Sequence, residues 1–423
     1  MKFKLICLSI LLVCTYNLNA QTNNEKEFAG FARKQDSLFN KAYENRDPKT
    51  YETLLTEFTT NYNKLTADQK KNFSGYYMSA YYNLCCTYSL MNKKQPALDY
   101  LEKSIKAGYY NYAHLREDTD LDNIRNETRF KTLAQSTREI GDYLYILQKA
   151  GKYNLDDHRE IPKFTYQAAD NPHLVSLRKA FKLDSVAGTG NDASKVINLL
   201  HWVHNLIPHD GNHVNPEVMN AMSMIAVCKK DNRGLNCRGL ATVLNECYLS
   251  LGIKSRFVTC LPKDSLGIDV DCHVINMVYV NSLKKWIWID PTNDAYVMNE
   301  KGELLGIEEV RERIINGKPL IVNPDANWNH KQSTLIQDYL YSYMAKNLYK
   351  LECPINSQYD AETREQGKKI NYITLLPLDY FKQSPDKTED TNAKNGTTFI
   401  RYKTNNPATF WLIPDADKPL KTK

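Results

Sequence analysis

The chain has 423 residues, 42% hydrophobic and 25% charged, which is ordinary globular material at a length suited to about two to four domains. Its formal net charge is +6, and the lysines are scattered rather than striped, which argues against nucleic-acid binding. Beyond the first twenty residues no run is long and apolar enough to span a bilayer, so no membrane span is expected.

The N-terminus reads as a leader. Lys2 and Lys4 precede an apolar run from Leu5 to Cys14, and Leu18-Asn19-Ala20 offers a small residue at a cleavage point. Residues 1–20 are therefore expected to be a secretory signal peptide and the protein to be exported, periplasmic or extracellular. Loss of those two lysines takes the net charge from +6 to +4. Two of the ten cysteines leave with the leader. The other eight, Cys85, Cys86, Cys228, Cys237, Cys247, Cys260, Cys272 and Cys353, show no CxxC pair and no dense disulfide framework, and several sit in apolar stretches as small buried hydrophobes.

Residues 21–165 are expected to form a helical domain, with apolar and aromatic positions recurring at three- and four-residue spacing through residue 150. Helices are predicted at 25–45, 48–65 and, as a pair, over 78–107. Counting back from Ala97, Tyr81, Leu84 and Tyr88 fall where a tetratricopeptide repeat packs its first helix, and Leu101 and Ser104 where it packs its second. A helical pair of this kind is expected to dock a protein partner.

Gly151, Pro162 and Pro172 mark a change of character. Helices are predicted over 193–205 and 217–227, separated by the polar loop 208–216. A further helix covers 236–251, with Leu240, Val243, Leu244, Cys247 and Leu251 on one face and Gly252 as its stop. Strands follow at 253–261, 273–280 and 285–289, the last two joined through Asn281-Ser282. A short helix is expected at 307–316, a helix at 334–347, a strand at 369–376, a polar loop at 383–397 and strands over 398–413.

The chemistry concentrates in the middle of the chain. A thiol attacks an amide only as a thiolate, and a helix N-terminus lowers a cysteine pKa through its unpaired N–H groups and positive dipole end. Cys237 stands at such a place, after Gly234-Leu235-Asn236. His273 opens the second strand and can serve as the base; Asp290 ends the third and can orient it.

The segments GLNCRGLATVLNECYLSLGIKSRFV, DCHVINMVYV and WIWIDPT resemble the core of the transglutaminase-like superfamily, as do the gaps of 36 residues from Cys237 to His273 and 17 from His273 to Asp290. The resemblance covers about residues 172–330. It implies an α+β fold with a papain-like core, a helix plus an antiparallel sheet, with Cys237 as nucleophile, His273 as general base and acid, and Asp290 as its orienting residue. Around that core the chain divides into a helical domain at 21–165, a catalytic domain at 166–330 and a small, β-rich C-terminal appendage at 331–423. Members of the superfamily also place a side-chain oxyanion donor upstream of the nucleophile. Trp202, His209, Asn212 and Asn236 are the candidates here for that role or for lining the cleft. Animal members use calcium, but no acidic loop with calcium-ligand spacing is present.

His201, His204, His209 and His213 invite a zinc reading, yet no HExxH motif or acidic partner helix accompanies them, so neither a metal nor any other cofactor is expected. The leading expectation is a secreted cysteine-type hydrolase acting on peptide, protein or cell-wall amides. The alternatives are a crosslinking protein-glutamine amine transferase and a catalytically inactive binding scaffold.

Overall fold

The computed structural model of the chain describes residues 23–263 and 271–414, and the expected signal peptide lies outside them. The chain divides into two compact units, Met1–Asp142 and Tyr143–Lys423.

The first unit is helical: α1 (Asn23–Glu44), α2 (Pro48–Tyr62), α3 (Ala67–Lys71), α4 (Gly75–Leu90), α5 (Lys94–Lys106), α6 (Tyr112–Glu117) and α7 (Thr128–Gly141). Local chemistry sets the starts. Asp47 accepts the Thr50 N–H at 3.1 Å and Pro48 supplies a preset φ at the first turn of α2. The expected helix pair is α4 with α5, and Leu84, Ala97, Leu101 and Ser104 are all fully buried between or beside them. Much of the tyrosine content packs here. Tyr88 and Tyr100 stack with centroids 5.7 Å apart, and both hydroxyls donate to Glu52, at 2.8 and 2.7 Å.

The second unit begins with α8 (Tyr143–Lys149), the two-residue strand β1 (Thr165–Tyr166), and α9 (Pro172–Ala180), α10 (Leu183–Ala187), α11 (Asp192–Leu206), α12 (Ala221–Asp231) and α13 (Cys237–Ser250). The strands β2 (Ser255–Leu261), β3 (His273–Val280), β4 (Lys285–Asp290) and β5 (Ala295–Met298) follow as antiparallel neighbours. After α14 (Ile307–Ile315) come β6 (Ile321–Val322) and the small hairpin β7 (Asn327–Trp328) with β8 (Gln332–Ser333). A π-helical stretch, Gln337–Met344, runs into α15 (Ala345–Asn347). The chain ends with β9 (Lys350–Pro354), β10 (Asn356–Ser357), β11 (Lys369–Leu375), β12 (Lys387–Thr391), β13 (Thr398–Thr404) and α16 (Pro407–Phe410).

Among the described residues nine strands form one sheet in the order β12-β13-β11-β9-β2-β3-β4-β5-β6. The fold is thus α+β, as expected. The β-rich C-terminal segment is present, and it lies within the second unit: β9 pairs with β2, so four C-terminal strands continue the sheet that carries β3 and β4.

Three local expectations are corrected. Residues 387–391, read as polar loop, form β12. Its lysine and acids suit the exposed edge it occupies, and that composition hides a strand from a hydrophobic pattern. Residues 398–413, read as strands, keep that form only to Thr404, because Asn406 caps Pro407–Phe410 as a helical turn. Similarly, the helix expected at 334–347 is π-helical over most of its length.

Strand alternation gives the sheet two buried faces. Ile275, Met277, Trp286 and Trp288 point to one, where they pack with Leu340 and Met344 of the π-helical stretch. Val278, Val280, Ile287 and Ile289 point to the other, against α11, α12 and α13. Arg256, fully buried, sits with its guanidinium 3.7 Å from the Phe164 ring centre and 4.9 Å from that of Trp286, so even the charged group at this depth is held by aromatic faces.

Candidate active site

Cys237 is the first residue of α13. Asn236 caps that helix, its side-chain oxygen accepting the Gly239 N–H at 3.2 Å. Asn215 secures the cap by donating to Asn236 Oδ1 at 2.7 Å and accepting the Asn236 N–H at 3.1 Å. Gly239 makes this approach possible, since a Cβ there would lie 2.7 Å from the Asn215 amide. The Cys237 N–H belongs to the first helical turn, whose N–H groups have no intrahelical acceptor.

Cys237 packs against Val274 and shares its cleft with His209 and His273, whose hydrogen bonding, with that of the Val274 N–H, acts on the thiol pKa. Burial raises the thiol pKa, but these bonds and the charge of His273 outweigh it and bring the value down to about 6. His273 faces Asp290 through Nε2, 2.8 Å from Oδ2, which leaves Nδ1 as its nitrogen toward Cys237. Burial lowers the His273 pKa, but the Asp290 charge and hydrogen bond, together with Cys237, raise it to about 10. Burial likewise raises Asp290, yet His273, Tyr339 and Asn293 hold it near 2. The favoured state is a thiolate–imidazolium pair backed by a carboxylate.

Asp290 is fully buried and well supplied with donors. Oδ2 accepts from His273, from the Tyr339 hydroxyl at 2.6 Å and from Asn293 Nδ2 at 3.0 Å, while Oδ1 accepts the Thr292 N–H at 2.9 Å. Trp288 Nε1–H donates in turn to the Tyr339 oxygen at 3.1 Å. Tyr339 and Asn293 were not singled out from sequence. Asn293 lies three residues past Asp290, but Tyr339 is 49 residues away and reaches the site only because its π-helical stretch packs on the sheet.

Of the three residues read from sequence as a triad, Cys237 and His273 line a cleft of about 920 Å³, and Asp290 lies buried behind His273. Of the four further candidates, His209 and Asn236 line this cleft. Trp202 and Asn212 are not among its lining residues. Trp202 lies on α11 and packs on Phe181 at 5.6 Å, and exposed Asn212 turns back on Asp210 through its backbone N–H. Asn236 spends its oxygen on the helix cap. His209 alone of the four lowers the thiol pKa. The remaining histidines do not converge. His204 bonds the Pro291 carbonyl and Asn327, and His213 pairs with Asp210. His201 lies 2.8 Å from Asp294, with Asp325 nearby, their ligand atoms falling within 4.8 Å of one another. Asp294 raises the His201 pKa mainly through its hydrogen bond, so this group reads as an ion pair tying α11 to the segment after β4. Among the described residues the eight cysteines form no disulfide, and apart from half-buried Cys237 and Cys272 they are buried.

A thiolate, a carboxylate-oriented imidazole and free helix N–H groups at the mouth of a cleft are the equipment of a thiol-dependent acyl-transfer core. Residues 179–291 match the family model of the transglutaminase-like superfamily, and the chain carries a domain of that superfamily. It is also similar over 60 residues, at 37% identity, to a chloroplast protein of Arabidopsis thaliana; the match covers 14% of this chain and 18% of that relative. Among solved structures, a candidate cysteine protease from Cytophaga hutchinsonii aligns at 16% identity with a TM-score of 0.23, covering 39% of this chain and 56% of the other.

Proposed function

We propose that this protein is an exported thiol hydrolase that cleaves peptide or other amide bonds, with Cys237, His273 and Asp290 as its catalytic residues. The observation that carries the reading is the meeting of Cys237, at the start of α13, with the hydrogen-bonded pair His273–Asp290, the thiol pKa being lowered although the group is mostly buried. The Cys237 thiolate attacks the amide carbonyl carbon and the oxygen takes the negative charge. The Cys237 backbone N–H, without an intrahelical acceptor at the first turn of α13, is available to donate to it. His273 Nδ1–H then passes its proton to the leaving nitrogen, and the C–N bond breaks to leave a thioester. Water, deprotonated by the now neutral His273, attacks the thioester carbonyl. The acid product departs and the thiolate–imidazolium pair is restored. Asp290 keeps Nε2–H engaged throughout, which fixes Nδ1 as the working nitrogen.

The test is to trap the thioester. Acid quenching during turnover of a mixed peptide library, followed by mass mapping, should place an acyl adduct on Cys237 and nowhere else. Intact protein with no adduct, alongside unbroken peptides, would favour a binding scaffold built on the same fold.

A further inference from the structure

We propose that His209 is the side-chain oxyanion donor of this site and that Trp328 is the positioning residue that makes it a donor rather than a second base. The proposal deepens the acyl-transfer reading above and rests on it for the word oxyanion, though not for the state of the ring.

Two imidazoles line the cleft beside Cys237 and both lower its pKa, and their outer partners differ in kind. His273 is backed by a carboxylate, an acceptor, so its outer nitrogen carries hydrogen and its inner nitrogen is free to exchange a proton. His209 is backed by Trp328, whose indole Nε1 lies 3.2 Å from His209 Nδ1. An indole N–H is a donor only. His209 Nδ1 must therefore offer a lone pair outward, which places the ring proton on Nε2, the nitrogen left to face Cys237. That nitrogen has no lone pair with which to take a proton from the thiol or from water. It can only donate, first to the sulfur and then to the carbonyl oxygen as charge develops there.

The backbone around His209 is held as firmly as its ring. Asn329 Oδ1 accepts the His209 N–H at 2.6 Å and Asn329 Nδ2 donates to the His209 carbonyl at 2.8 Å. On the other side, Asp210 N–H donates to the Leu235 carbonyl at 2.7 Å and Leu235 N–H to that of Pro208 at 3.2 Å, which seats His209 beside the residues leading into Cys237. Gly234 permits the approach, because a Cβ there would lie 2.2 Å from the Pro208 oxygen. Trp328 and Asn329 come from the β7–β8 hairpin, whose central turn residues Asn329 and His330 both have positive φ, 53° and 56°. That conformation suits Asn and brings the indole and the clamping amide to bear on one residue.

Three measurements on the full-length protein test this. In 15N-histidine spectra at neutral pH, His209 should show a protonated Nε2 and a bare Nδ1, and Trp328→Phe should abolish that preference. Acylation by p-nitrophenyl acetate, which needs no knowledge of the natural substrate, should fall about 100- to 1,000-fold in His209→Ala. In His209→Gln, which restores a donor, it should stay within about tenfold of wild type. Alkylation by iodoacetamide at pH 8.5 passes through no oxyanion, so it should change by less than about threefold in either variant while collapsing in His273→Ala. Equal losses in acylation and alkylation for His209→Ala, or a protonated Nδ1 in the wild type, would overturn the assignment. A wild type that is acylated by the ester yet cleaves no amide would count against hydrolase function and leave the donor assignment standing.

Discussion

His273 and Asp290 meet across a 2.8 Å hydrogen bond that is inaccessible to solvent, each residue being 2% exposed or less. They come from strands that are neighbours in the sheet, and by alternation both side chains lie on the face that carries Ile275 and Trp288. Cys237 reaches them from the helix on the opposite face, at the first residue of β3. Most of what can be tested about this protein follows from that meeting.

The pH dependence has a defined sign. The thiol is brought down to about 6 and His273 is raised to about 10. Below the first value the thiolate is protonated; above the second the imidazolium loses the proton that the leaving amine needs. Amide turnover should therefore be bell-shaped, with its plateau between about pH 6 and 10, the two limbs belonging to the coupled pair rather than to either residue. Iodoacetamide labelling of Cys237 requires only the thiolate and should rise through the acid limb without falling at the alkaline one. Labelling that first appears near the ordinary thiol range, about pH 8.5, would mean an unactivated cysteine.

Asp290→Ala should be damaging twice over. It removes the acceptor for a buried His273 and strands the Tyr339 hydroxyl and the Thr292 N–H. Breaking one side of a buried pair costs about 3–5 kcal/mol. Urea unfolding should show a loss of that order, and thiol labelling near pH 7 should slow along with it. Tyr339→Phe takes away the hydrogen bond to charged Asp290 and the acceptor of buried Trp288 Nε1–H, and should destabilise by at least about 1.5–3 kcal/mol. Asp290 would still be ionised there, so the acid limb of the activity profile should stay where it is.

The first unit should be separable from the chemistry, but the cut matters. A chain beginning at Tyr143 keeps α8, whose Leu147 is fully buried in the core under the sheet. It should fold and retain a reactive Cys237. A chain beginning at residue 155 loses Leu147 and Ile146, and deleting a large apolar core residue costs about 2–5 kcal/mol. Circular dichroism melts of the two truncations should differ by that margin. Equal stability would show that α8 belongs to the first unit instead.

The sequence made Cys237, His273 and Asp290 stand out because each sits at the end of an element with its own local signature: a cap before Cys237, a strand opening at His273, a strand closing at Asp290. It also made the helical first unit and the α+β core readable through periodicity. It could not reveal Tyr339, Trp328 or Asn329. Tyr339 falls in a stretch expected to be helical, but that expectation does not say what its hydroxyl meets, and Trp328 and Asn329 come from a stretch with no regular pattern; the three reach Asp290 and His209 across 49, 119 and 120 residues. The four-way choice among upstream donors was open for the same reason, since what separates His209 from Trp202, Asn212 and Asn236 is the partner each meets in space. β12 escaped because a charged edge strand has the composition of a loop.

Water, rather than an amine, should be the acceptor that resolves the thioester. A transferase must hold an amine against the acyl group and keep water out, which calls for apolar walls over the nucleophile. Trp286 and Trp288 are buried in the core beneath the sheet and Trp202 packs on Phe181, so none of them covers Cys237. Among the described residues Trp328 is the only tryptophan lining the cleft, and it is 39% exposed, with its N–H turned to His209. Met219, Val274, Tyr339, Tyr343 and exposed Val214 and Leu335 also line it, but Asn215, Glu217, Asn293, Gln332 and Asp338 line it too and offer water polar partners there. A peptide library incubated with the protein and an excess of primary amine should therefore yield products that have gained water, by chain cleavage or by deamidation, with Cys237→Ala yielding none. Amine adducts that dominate, and vanish in the same variant, would make the protein a crosslinking transferase.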